Sequence, residues 1–276
     1  MENNISKAII AIAISVLSLN LAAESIDDAE SIKAHHGMER FPEKIVDRPS
    51  TLPTGIVQVD TKVKVSGLST LNLQASTTFG IVDKLQGEFG YDGLDFHFDK
   101  KEVFEAKRTV NLGLKYNYLG IPHVSFSAAG NLPLHIWDGE IVKDFTVGLP
   151  VVFYNEFLAG GVLADLFQLT MRPEQGVKFD FPFWFGVQIV GNFWAQIKSS
   201  FGRITMDSQG ESAPWKSVTK GFWQRLPLEL EATYAFNHYF DLGANFGFDD
   251  VLAKGKITDT MFFGLIFTAR GGRLFG

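Results

Sequence analysis

Between Val57 and Val65 the chain reads VQVDTKVKV, with valine or threonine at every odd position and Gln58, Asp60, Lys62 and Lys64 at the even ones. Alternation with period two marks a strand whose two faces meet different surroundings. The pattern recurs. TLNLQASTTF sets Leu71, Leu73, Ala75, Thr77 and Phe79 against Asn72, Gln74, Ser76 and Thr78. VNLGLKYNY sets Val110, Leu112, Leu114, Tyr116 and Tyr118 against Asn111, Lys115 and Asn117, and RLPLELEATY sets Leu226, Leu228, Leu230, Ala232 and Tyr234 against Arg225, Glu229, Glu231 and Thr233. Further runs begin near Leu85, Val124, Phe145, Val177, Phe193, Phe240 and Met261. The stretch from Gly160 to Met171 is apolar on both faces and has no defined phase. With it, about twelve strands are predicted, each of a length that crosses a bilayer when tilted.

Two local features interrupt the alternation. Pro150, Pro182 and Pro227 fall inside strand candidates, where each removes a ladder hydrogen bond, so bulges or earlier strand ends are expected there. At Gly93 the apolar phase slips from odd to even, which predicts a bulge.

The connections have a rhythm of their own. IVDK, LGIP, NEFL, VGN and FNHY are tight, whereas those near residues 92–105, 131–143, 172–176, 204–217 and 249–257 are mostly longer and more polar. Short turns at one end and longer loops at the other are what a membrane barrel predicts with both chain ends on the periplasmic side. A soluble lipocalin-like barrel or sandwich would carry the same alternation turned inside out, with no reason for the rhythm. From about Leu52 to Thr268 the chain resembles the Gram-negative outer-membrane β-barrel proteins in architecture and texture, without a family-specific motif. That resemblance implies an all-β, antiparallel up-and-down transmembrane barrel in the cell outer membrane, with the valines of VQVDTKVKV facing lipid. If Phe267 is the aromatic that ends the last strand, the final residues form a short tail.

Ahead of the barrel, Lys7 precedes an apolar stretch from Ala8 to about Ser18, and Ala22 and Ala23 follow, which reads as a signal peptide over residues 1–23. Residues 24–51 are charged and aperiodic, and read as a mobile or weakly helical periplasmic extension, leaving 52–276 for the barrel. Composition agrees with a barrel. The 276 residues hold 26 phenylalanines, 27 glycines and no cysteine, so no disulfide framework and no oxidative folding are implied. The formal net charge of −6 is spread along the chain without a basic run, which excludes nucleic acid as a partner.

The candidate chemistry is sparse. His123 and Ser125 lie two apart, on one face of a strand, as a base and nucleophile require. The spacing is similar to the His-x-Ser of outer-membrane phospholipase A, but Phe126 and Ser127 replace the asparagine and glycine that follow in that family, and Asn131 is the only orienting candidate. A polar lumen-facing pair is the plainer reading, and no catalytic residue is assigned. Asp95, His97 and Asp99 share a face that could ligate a divalent cation, although a solvated strand extension explains them. His35 and His36 lack further ligands, so no metal or other cofactor is expected. Trp184, Trp194, Trp215 and Trp223, with Tyr118, Tyr234 and Tyr239, fall near strand ends, where interfacial girdles are expected.

The predicted lumen carries Asp60, Lys62, Lys64, Lys115, Lys198, Arg225, Glu229 and Glu231. Such a lining either forms a hydrated, weakly selective pore or pairs across the barrel and closes it. The first outcome is a channel or transporter for small solutes. The second is a structural or interaction barrel that meets envelope or export proteins through its outer loops, and a lipid-modifying enzyme ranks third.

Overall fold

A computed structural model describes residues 41–67, 69–82, 84–98, 103–107, 109–135, 142, 144–162, 167–170, 177–206, 226–253 and 257–272. Fifteen strand segments occur in it: β1 Ile56–Ser66, β2 Thr70–Val82, β3 Leu85–His97, β4 Phe104–Ala106, β5 Thr109–Ile121, β6 Val124–His135, β7 Asp144–Gly148 and β8 Val151–Tyr154, followed by β9 Leu158–Val162, β10 Phe167–Thr170, β11 Val177–Val190, β12 Phe193–Met206, β13 Leu228–Ala235, β14 Phe240–Phe248 and β15 Met261–Gly272. Three pairs of segments each make one stave. β4 continues β5 along β3, β7 and β8 both lie on β6, and β9 and β10 both lie on β11. The result is a closed antiparallel barrel of 12 staves. Every residue of β1 from Ile56 to Ser66 has a partner on β15, so the seam leaves no unpaired edge. A backbone that must cross lipid without water has to satisfy its polar groups in this way.

Parity decides which way each side chain points. Leu112, Leu114, Tyr116 and Tyr118 of β5 are exposed on the outer surface, as are Leu230 and Tyr234 of β13 and Phe263, Leu265 and Phe267 of β15. Their neighbours Asn111, Lys115 and Asn117 point inward and line a central cavity with Asp60 and Lys62 of β1. The valines of β1 therefore lie on the outer, lipid side, Val59 covered there by Phe240, and its charges face the interior, so the barrel has the fold and the apolar belt of an outer-membrane protein. All five tight connections gather at one end, together with the start of β1 and the end of β15.

The prolines act as their missing donors require. Pro150 separates β7 from β8, and Pro227 lies just before β13. At Pro182 the ladder between β11 and β12 shifts register, with Phe201 and Gly202 facing the single residue Phe181. Gly93 has φ +107° and sits in the two-against-one step between the pairs Ala75–Tyr91 and Leu73–Leu94. That bulge is the expected phase slip.

The last strand does not stop at Phe267. It runs to Gly272, pairing Ala269, Arg270 and Gly271 with Val59, Gln58 and Val57, so a reading that ends the barrel near Phe267 is too short. Residues 41–52 also depart from an extension lying ahead of the fold. They turn into the barrel mouth at the tight-turn end, through a short 3-10 turn at Ile45–Asp47. Phe41 and Leu52 pack with Ile56 and Tyr239, and Val46 packs with Ala159 and Trp194. These apolar anchors are too widely spaced to give the stretch a sequence period.

Candidate functional site in the barrel lumen

The interior has two unlike walls. On the first, formed by β1 and β12–β15, long charged side chains bond to one another. Lys62 Nζ lies 3.5 Å from Glu229 Oε1, and Lys198 Nζ lies 2.5 Å from Glu231 Oε2 and 3.9 Å from Glu229. Asn245 donates to Glu229 at 2.6 Å and Gln196 to Glu231 at 2.7 Å. Lys64 pairs with Asp249 at 3.0 Å, its ammonium 3.9 Å from the centre of the Phe262 ring. Glycine permits this crowding: a Cβ on Gly264 would lie 2.2 Å from Asn245 Oδ1.

On the second wall, formed by β2–β7, most inward side chains are shorter, Glu88 and Lys115 being the long charged ones. Gln74 and Ser76 of β2, Asn111 and Lys115 of β5, Asn131 of β6 and Thr146 of β7 line it. Asn111 donates to Asp92 at 2.5 Å, and Asn131 to Asn111 at 3.5 Å. Toward the loop end, Asp95 accepts from Asn72 at 2.5 Å and pairs with Lys107 at 2.7 Å. The hydrogen bond to Asp95 raises the Lys107 pKa above its ordinary value. His97 stands between Thr70 at 3.1 Å and Glu105 at 3.4 Å. Asp95 and His97 are thus held by neighbours on their own wall, and the solvated strand extension expected for them is not what forms. Asp99, His35 and His36 lie outside the described residues.

Between the walls is a chamber of about 1270 Å³, floored at the tight-turn end by residues 45–50. This segment is a strap fastened to both sides. On the first wall Arg48 grips Asp241 with both terminal nitrogens, at 2.6 and 2.8 Å, while Arg270 reaches the same carboxylate at 2.5 Å. Phe41 lies beneath both guanidinium groups, 5.6 and 5.3 Å from its ring centre. On the second wall Lys115 donates to the Ser50 carbonyl at 2.5 Å, Ser50 Oγ contacts Ser125 Oγ at 2.9 Å, and Gln86 accepts from the Leu52 amide at 2.9 Å. Across the mouth, Gln188 accepts from the Val46 amide at 3.3 Å.

Of the eight charged residues expected in the lumen, Asp60, Lys62, Lys64, Lys115, Lys198, Glu229 and Glu231 project inward; Arg225 lies outside the described residues. Asp60 accepts from Thr268 at 2.5 Å and from Gln58 at 2.8 Å. His123 and Ser125 are not brought together. His123 occupies a tight turn with φ +68° and meets the Tyr154 carbonyl at 3.1 Å, while Ser125 faces the strap.

The tryptophans are a correction. Trp184 and Trp194 point into the barrel instead of joining a girdle, and a Cβ on Gly186 would sit 2.0 Å from the Trp194 ring. They pack near edge-on, 6.5 Å apart, beside Ile45 and Val46 of the strap. Trp215 and Trp223 lie outside the described residues. Tyr118 and Tyr234 are exposed on the outer face near the tight turns, whereas Tyr239 packs against Phe41. Arg48, Asp241 and Arg270 escaped the sequence reading. Arg270 continues the inward parity of β15 through 266 and 268, a signal available from the sequence alone.

No protein-family model matches the chain, and no curated protein does. Among solved structures, the NanC porin superposes with a TM-score of 0.51 at 6% identity, covering 79% of this chain and 100% of that one. The KdgM porin gives 0.46 at 6% identity, covering 77% and 98%, and outer membrane phospholipase A from Escherichia coli gives 0.42 at 10%, covering 84% and 99%. At such identities the NanC superposition speaks for the fold, that of an outer-membrane β-barrel.

Proposed function

We propose that the protein is an outer-membrane channel or transporter for small solutes, with Asp60, Lys62, Lys64, Lys115, Lys198, Arg225, Glu229 and Glu231 as pore-lining residues. The observation that carries this reading is the chamber itself: polar and charged side chains of β1, β2, β5, β6, β7, β12 and β13 line it beside an apolar patch at Trp184 and Trp194, and the charged ones of β12 and β13 pair along the wall. Passage of small solutes fits the porin fold that the NanC superposition shows. On this reading residues 1–23 direct export, and the chain from residue 24 reaches the barrel from the periplasmic side, in keeping with a strap at the tight-turn end. His123 and Ser125 take no catalytic part.

The strap favours one competing reading, a closed barrel that serves an envelope assembly through its outer loops. In the channel reading it is the narrowest section, and solutes pass where it moves aside. The two readings separate in a planar bilayer. The refolded chain is expected to give ion-conducting steps, and deletion of residues 41–50 is expected to enlarge them several-fold. If the deleted form is folded, inserted and silent, the closed barrel replaces the channel.

A further inference from the structure

We propose that the second wall holds a binding recess for uncharged polyhydroxylated solutes, the chemistry of simple sugars. This names the solute class of the channel reading and rests on it. The register fixes the recess. Thr78, Glu88, Gly113, Asn131 and Thr146 form one transverse row across β2, β3, β5, β6 and β7, and Ser76, Gly90 and Asn111 form the row above it. Gly90 puts no side chain into its row, which leaves the wall hollow between Ser76 and Asn111, while the Glu88 side chain lies over Gly113.

Three observations set the chemistry. First, the recess offers groups that both donate and accept. Gln74, Ser76 and Thr146 line the chamber and have no side-chain hydrogen-bond partner among the described residues, and Asn131 holds Asn111 by one long bond of 3.5 Å. A sugar hydroxyl also donates and accepts, so it can satisfy such groups without a counter-charge.

Second, the cations of the described interior are already engaged. Among the described residues, Lys62, Lys64, Lys107, Lys198, Arg48 and Arg270 each have a carboxylate within 3.5 Å, and Lys115 has the Ser50 carbonyl at 2.5 Å. An anionic solute would have to break one of these contacts to gain a cation, and a cationic solute would compete for Asp60 and Asp92 with the hydrogen bonds they accept from Thr268 and Asn111. A neutral solute breaks none.

Third, Trp184 lines the same chamber from β11 and offers an apolar surface for the C–H face of a ring. The chamber volume of about 1270 Å³ leaves room for a mono- or disaccharide with its hydration water.

The test is osmotic swelling of liposomes carrying the refolded chain, in isosmotic glucose, gluconate and glucosamine, which are close in size and differ in charge. Swelling in glucose is expected to run several-fold faster than in either charged analogue. A Cβ on Gly90 makes ordinary contacts of 3.6 Å with Asn111 and Ser76, so Gly90→Leu fits at its root and fills the recess with its branch. It is expected to slow glucose several-fold, and Thr146→Leu supplies the same obstruction should Gly90→Leu fail to fold. Equal or faster uptake of gluconate or glucosamine by a chain that conducts ions overturns the solute class and leaves the channel standing. Glucose uptake untouched by both leucine variants overturns the recess. Silence to ions and solutes alike removes the channel and this inference with it.

Discussion

The wall made by β1 and β12–β15 and the wall made by β2–β7 follow the same parity rule, yet they put polar groups to different uses. On the first, long lysines and glutamates find one another across several strands and lie along a glycine-bearing surface. On the second, amides and hydroxyls stand on short stems and leave hydrogen-bonding capacity facing the chamber. Alternation therefore decides that a side chain points inward; side-chain length and the neighbouring glycines decide whether it arrives already bonded. The strap joins the two walls, held by an ion pair on one and by neutral or single-charge hydrogen bonds on the other.

The sharpest break in that comparison is at Asp241, whose carboxylate holds two guanidinium groups and is 3% exposed. Asp241→Ala leaves Arg48 and Arg270 facing each other without the carboxylate that holds them both. Removal of one partner from such a buried cluster costs about 3–5 kcal/mol, to be read from the urea midpoint of the folded barrel. Asn131→Ala on the second wall, where one long bond is lost, is expected to stay within about 0.5 kcal/mol in the same assay. Comparable losses at the two sites would mean that the walls do not differ as described.

A somewhat smaller effect separates the two faces of a single strand. Leu114 is 53% exposed on the outside of β5, and Lys115 beside it lines the chamber. Leu114→Arg places a charge in the apolar belt at a cost of about 2–4 kcal/mol, measured by equilibrium folding into lipid vesicles. A neutral result would put the membrane belt elsewhere.

The smallest effect on stability is the most telling for passage. The Lys62–Glu229–Lys198 group is part-exposed, and such pairs contribute at most about 1 kcal/mol. Glu229→Gln is expected to leave the midpoint nearly unchanged while moving the reversal potential in a salt gradient toward anions, because two ammonium groups lose a neighbouring carboxylate. An unmoved potential would take these residues off the ion path.

Much of the fold was legible because a membrane barrel writes its two environments into alternate residues. The inward set from Asp60 to Glu231, the tight turns and the bulge at Gly93 all follow from that. What was hidden is pairing at a distance: Lys62 and Glu229 are 167 positions apart, and no local pattern joins them. Trp184 and Trp194 misled because an aromatic near a strand end suits an interface as well as an interior; Gly186 across the ladder is what shows the Trp194 ring to be inside. The strap was invisible because it is held by isolated anchors on many different staves, with no face of its own.

Those anchors also impose an order of events. Arg48 meets a carboxylate 193 positions downstream, on β14, and Phe41 lies under a guanidinium from β15, the final strand. Neither partner is in place until the C-terminal staves have joined β1, and closing so long a loop is slow. The part of the described chain that leaves the ribosome first is thus the last to be seated, and its capture reports that barrel assembly is complete.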